Sequence, residues 1–258
     1  MRPPGRARLL VRRIGLAVAA ITLLVGCMPA ASTAEGRSIN DLYAGFLIVA
    51  AVVAASVLIP ATLAIVRFRR RREDAPLPSQ TRGHVLLELT WTALPAITVI
   101  GLFIATFVVL LRVDATSAPR TTEIAVTGYR WGWSFEYPAE GVRVDGLGLP
   151  GPEVAVPIDE PITVRLTSAD VIHSFFVPLF LLKRDANPGR EHTFQFTVEE
   201  AGTYRGQCAE FCGLYHSQMP FTVVAMERPA YEAWLTTQRA AASAPPASAA
   251  PASPSPSP

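Results

Sequence analysis

The chain has 258 residues, half of them hydrophobic and only 17% charged, with a mean hydropathy of +0.30. That exceeds what one soluble domain requires and points to membrane segments. The formal charge of +2 conceals a division: residues 113–228 carry nine Lys and Arg against fifteen Asp and Glu, a net of about −6, which disfavours nucleic acid as a partner and favours a basic one.

In chain order, Arg2, Arg6, Arg8, Arg12 and Arg13 precede thirteen uncharged residues from Ile14 to Gly26. This is the plan of a secretory signal peptide over residues 1–26, too short to span a bilayer comfortably. The segment ends in Leu24-Val25-Gly26-Cys27, which resembles a bacterial lipobox and makes Cys27 the candidate lipidated N-terminus of the mature protein. The alternative is a free cysteine in an uncleaved anchor. Residues 27–41 then form a short exported spacer. From Leu42 to Val66 no charge occurs, and 25 residues at a rise of 1.5 Å make a helix of ~37 Å, enough to cross a ~30 Å hydrocarbon core. Arg67, Arg69, Arg70, Arg71, Arg72 and Arg82 crowd the following linker, residues 67–88, whereas Met28–Asp41 has only Arg37. The linker is therefore cytoplasmic by the positive-inside rule. A second uncharged run, Leu89–Leu111, returns the chain to the outside. Glu88 stands immediately before it, a helix-start acid, and Trp91 sits where an interfacial aromatic is expected.

Past Arg112 the pattern changes to short β-prone segments, Glu123–Thr127, Glu153–Val156, Ile162–Thr167 and Thr193–Val198, separated by turn signals such as Asp145-Gly146 and Asn187-Pro188-Gly189. Many short strands at this spacing predict a β-sandwich or barrel over 113–228, with enough residues for one core. Gly128–Tyr137 is dense in aromatics; by itself it reads as core packing, and Trp133 remains so. Residues 229–258 predict a short amphipathic helix over Pro229–Ala242 and a low-complexity tail rich in Ala, Pro and Ser.

Gln207–Met219 gathers soft donors at tight spacing: the thiols Cys208 and Cys212, the imidazole of His216 and the thioether of Met219. Thiolate, imidazole and thioether together favour copper over hard cations. His173, in Asp170-Val-Ile-His-Ser174, lies where a strand meets a loop and is a further candidate donor. A disulfide between Cys208 and Cys212 is the simpler reading of two exported cysteines. It gives no reason for His216 and Met219 to follow at these intervals. A mononuclear blue-copper site needs one cysteine, so the second argues for two metals sharing sulfur.

At these residues the chain resembles cytochrome c oxidase subunit II with its dinuclear copper centre, CuA, and the likeness extends from about Asn40 to Glu227. The resemblance implies a membrane-anchored all-β protein: a two-helix transmembrane hairpin followed by a cupredoxin-like Greek-key β-barrel, with the copper domain outside a bacterial cell membrane. It implies copper ligation by His173, Cys208, Cys212, His216, Met219 and the backbone carbonyl of Glu210, and places the Glu210 side chain as a ligand to magnesium at the interface with subunit I. Trp131 becomes the point of electron entry from cytochrome c, and Glu88 the mouth of a proton pathway into subunit I. The implied partners are subunit I, subunit III and cytochrome c. The implied function is electron entry to a proton-translocating haem-copper oxidase that reduces oxygen, with this subunit relaying electrons. The alternatives are a CuA subunit of a nitric oxide reductase and a non-redox, disulfide-stabilised lipoprotein. Two positions depart from the commoner family pattern: Phe176 replaces a frequent tryptophan, and Leu182 stands where glycine often precedes the lysine.

Overall fold

The computed structural model describes residues 30–68, 83–115 and 122–243. The signal segment, Cys27, most of the arginine-rich linker and the C-terminal tail lie outside them. The chain divides into two units, residues 1–117 with 178–182, and residues 118–177 with 183–258.

The first unit contains two long helices, α1 (Ala34–Arg67) and α2 (Val85–Val113). Each is long and apolar enough to cross a membrane. Their side chains are exposed almost throughout, including Ile65 at 71% and Phe103 at 66%. Apolar surface on this scale is stable only against lipid or another protein. Helix α1 begins eight residues before the uncharged run, so part of the expected spacer is helical. Thr33 caps it, accepting from the Gly36 N–H at 3.0 Å and donating to the Phe180 carbonyl at 3.1 Å. Glu35, Arg37 and Asp41 disqualify this turn from the bilayer but not from a helix in water.

Helix α2 starts with a reciprocal cap. The His84 ring nitrogen Nδ1 accepts from the Leu87 N–H at 3.3 Å, while Glu88 Oε1 accepts from the His84 N–H at 3.3 Å. This satisfies two of the amide groups that every helix start leaves without partners.

Among the described residues the second unit has ten strands: β1 (Thr122–Tyr129), β2 (Gly132–Tyr137), β3 (Val142–Leu147), β4 (Glu153–Pro157), β5 (Pro161–Ser168), β6 (His173–Val177), β7 (Leu182–Ala186), β8 (His192–Thr197), β9 (Gly202–Cys208) and β10 (Pro220–Met226). One sheet runs β3-β2-β1-β5-β8 and the other β4-β10-β9-β6-β7. Both are mixed, because β1 runs parallel to β5 and β4 parallel to β10. Burial alternates strictly along β1 and β10, so each sheet turns one face inward.

The core between the sheets is aromatic. Phe175 and Phe221 stack at 4.7 Å, Phe135 meets Phe221 at 5.5 Å, and Trp133 meets Phe221 at 5.4 Å. Each such side chain contributes about 1.5–3 kcal/mol by leaving water. Tyr137 ties the sheets together, its hydroxyl donating to the Ala155 carbonyl at 2.8 Å. Helix α3 (Arg228–Ser243) buries Tyr231 and Leu235, one turn apart, and brings Trp234 to 5.5 Å from Tyr137. Arg228 at its start pairs with Glu160.

Candidate metal centre

Backbone pairing assembles the centre from three segments. β6 pairs with β9 so that Phe175 faces Cys208, which sets His173 beside the end of β9. The Ala209 N–H donates to the Ser174 carbonyl at 3.1 Å, carrying the loop past β6. The Cys208 N–H donates to the Met219 carbonyl at 3.1 Å, closing residues 209–218 at their base. Inside the loop, His216 begins a short 3-10 turn through Gln218. Gly213 has φ +121°, and a Cβ there would lie 3.4 Å from Trp131 Nε1, so the turn runs tight beneath the indole.

The donors converge. Cys208 Sγ and Cys212 Sγ are 4.0 Å apart, both as free thiols. His173 Nδ1 lies 3.9 Å from Cys208 Sγ, and His216 Nδ1 lies 3.5 Å from Cys212 Sγ. Met219 Sδ is 3.3 Å from Cys212 Sγ, and the Glu210 carbonyl oxygen 3.3 Å from Cys208 Sγ. All six atoms proposed from sequence therefore meet, with one imidazole beside each sulfur. His173, Cys208, Cys212 and Met219 are buried.

The electrostatics favour a cation. Burial raises the Cys208 thiol, but hydrogen bonding with His173 and neighbouring backbone groups outweighs it and brings the pKa down to about 7. Burial and the Cys208 charge push Cys212 up to about 12. Two thiolates this close do not both ionise unless positive charge lies between them, so the pair fits a bridging role between soft cations. The imidazoles, thioether and carbonyl stand beside them as further donors that could complete protein ligation of such cations.

A second layer holds the first. His173 Nε2 lies 2.9 Å from Asp170 Oδ1. With Nδ1 turned to the sulfurs, Nε2 carries the proton and donates to that carboxylate, which fixes the ring. Burial alone lowers the His173 pKa, but Cys208 and Asp170 outweigh it and hold it above its ordinary value. Asp170 itself accepts from the Val171 N–H at 2.6 Å and from the Arg130 N–H at 2.8 Å. Although burial raises its pKa, the hydrogen bond with His173, then those from Val171 and Arg130, hold it far below the carboxylate range. The sequence by itself assigns Asp170 no role; its position three residues before His173 is the available signal.

The remaining predicted residues fall at several places. Trp131 is half-buried, meets the Tyr215 ring edge-on at 4.9 Å, and lines a groove of about 370 Å³ with Arg130, Leu147, Gly148, Tyr215 and Gln218. Trp133 is wholly buried. The Glu210 carboxylate turns away from the sulfurs to Lys183, 3.3 Å from Nζ. Phe176 is half-buried on β6, and Leu182 is buried at the start of β7; neither reaches the sulfurs. Glu88 belongs to the first unit, at the cap of α2.

Comparison with known proteins finds two family models along the chain. Residues 20–110 match "Cytochrome C oxidase subunit II, transmembrane domain" and residues 150–226 match "Cytochrome C oxidase subunit II, periplasmic domain". A cytochrome c oxidase subunit 2 of Cereibacter sphaeroides is 31% identical over 83% of this chain and 80% of that protein. One from Alkalihalophilus pseudofirmus is 34% identical over 73% of this chain, which spans 55% of that longer protein. Among solved structures, the periplasmic domain of subunit II of cytochrome oxidase from Bradyrhizobium japonicum is 34% identical, covering 48% of this chain and 97% of that domain with a TM-score of 0.46.

Proposed function

Because the chain belongs to the cytochrome c oxidase subunit II family, we propose that it is the electron-entry subunit of a haem-copper terminal oxidase, taking electrons from cytochrome c at a dinuclear copper centre and delivering them to subunit I for the reduction of oxygen. The observation that carries this is the meeting of two free thiols, two imidazoles, a thioether and a carbonyl within 4.0 Å steps of one another.

The ligands are His173, Cys208, Cys212, His216, Met219 and the carbonyl of Glu210. When bound, the copper pair supplies reversible one-electron exchange with the charge shared over both metals. The chain's part is to keep that exchange inexpensive in rearrangement. Its two sulfurs sit buried, so water does not reorganise around them. Asp170 keeps the His173 ring from turning, and the paired strands β6 and β9 fix the spacing between segments. Trp131, half-exposed above the loop and in contact with Tyr215, is the entry point from cytochrome c.

The Glu210 carboxylate, paired here with Lys183, would be the group to hold a magnesium ion at the interface with subunit I. Glu88 collects protons at the cytoplasmic face beside its capping role, and Cys27 carries lipid on the mature N-terminus. Residues 113–228 form the exported copper domain, residues 42–66 and 89–111 the two spans, and subunit III completes the assembly.

The test uses the full chain in its purified complex. Two coppers should be bound to this chain, with an electron spin resonance signal from one unpaired electron shared by both. Cys208→Ser or Cys212→Ser should abolish that shared signal, since each removes a bridging sulfur; survival of the signal in either would refute the bridge. Turnover with oxygen, against turnover with nitric oxide, identifies the acceptor.

A further inference from the structure

We propose that Trp133 is a positioning residue for the copper centre, holding Met219 through its indole N–H and His173 through its ring, so that one core side chain sets the placement of two ligands from separate segments. This rests on the copper-pair ligation proposed above.

Trp133 lies on β2, outside every ligand segment, and is wholly buried. A buried indole N–H needs an acceptor. Trp133 Nε1 donates to the Met219 carbonyl at 3.2 Å, across 86 residues of sequence. The same carbonyl takes the Cys208 N–H at 3.1 Å, so two donors from two strands pin the backbone of Met219. This matters because a methionine side chain is unbranched and adaptable. Its sulfur is only as well placed as the backbone from which it reaches. Met219 Sδ stands 3.3 Å from Cys212 Sγ, within reach of a metal shared with that thiolate.

The ring makes the second contact. Trp133 meets the His173 imidazole edge-on, with centroids 6.1 Å apart and planes at 62°. Its cross-strand neighbour Gly128 leaves the room this requires: a Cβ there would lie 3.0 Å from His173 Cβ and 3.1 Å from Cγ and Cδ2. The imidazole is thus confined by an indole and a bare backbone and oriented by Asp170. A residue that only filled the core would need neither the N–H nor this orientation.

Trp133→Phe in the full chain, assembled in its complex, separates the two roles. It retains an aromatic ring and removes the N–H, while the Cys208 amide still holds the Met219 carbonyl. The expected result is retention of two coppers, a changed copper spin resonance spectrum, a shifted reduction potential, and copper release to a chelator roughly fivefold faster, the effect of one lost neutral hydrogen bond. Phe135→Leu is the control: Phe135 shares the strand and the core and meets Phe221. It should lower thermal stability and leave spectrum, potential and release rate unchanged. Parental values of all three in Trp133→Phe, or equal changes in Phe135→Leu, would overturn the proposal. Should Trp133→Phe fail to assemble, Trp133→Tyr is judged on the same measurements and outcomes. A parental complex with fewer than two coppers on this chain would instead refute the ligand reading itself.

Discussion

Single residues separate chemistry from scaffolding most sharply at Glu88. Its carboxylate accepts from the His84 N–H, so Glu88→Ala removes a cap as well as a charge and costs about 1 kcal/mol of helix stability. Glu88→Gln keeps an acceptor at the same reach and loses only the titrating group. If Glu88 feeds protons to subunit I, the glutamine variant should assemble normally, keep the copper signal and turn over several-fold more slowly. Parental turnover across pH would leave Glu88 as a capping residue alone. Four of the proposed ligands are legible because their spacing is local: Cys208, Cys212, His216 and Met219 lie within twelve residues, and thiolate with thioether disfavours hard cations. What holds them is not. Trp133 reads as core, and it is core; its bond to Met219 joins β2 to the residue just before β10, across 86 residues that no local pattern brings together.

At the scale of elements, the two uncharged runs fall inside α1 and α2, and the four β-prone segments overlie β1, β4, β5 and β8. The first span was bounded by its charges, whereas α1 continues to Ala34 because a Thr33 cap and a polar turn are compatible with a helix outside lipid. Helix α3 is expected as an amphipathic segment without a stated partner; it buries Tyr231 and Leu235 and packs Tyr231 and Trp234 against Tyr137. Tyr231→Ala should therefore cost about 3 kcal/mol or more by leaving a cavity, measured as a lower thermal midpoint of the exported unit. The copper spectrum recorded well below that midpoint should match the parent, because Tyr231 contacts no ligand. An altered spectrum would mean that α3 shapes the centre from a distance.

For the whole molecule, the exported unit's net charge of about −6 predicts how a donor arrives. If a basic cytochrome c is steered by it, the bimolecular rate should fall several-fold between ~10 mM and ~0.1 M salt, as the screening length contracts from ~30 Å to ~10 Å. A flat profile would assign docking to apolar contacts around Trp131, Leu147 and Tyr215. The sequence carried the sum of the charges but not this groove, whose walls come from residues up to 88 positions apart. The pairing of β6 with β9 reaches further than geometry. His173 and Cys208 are 35 residues apart and become neighbours only when those strands join. A chain threading outward through the membrane as an unfolded strand therefore carries Cys208, Cys212, His216 and Met219 on one short stretch, without His173 beside them. If these residues hold copper as proposed, the full donor set exists only once β6 and β9 have paired on the outer side, so the metal would have to be supplied in the extracytoplasmic space.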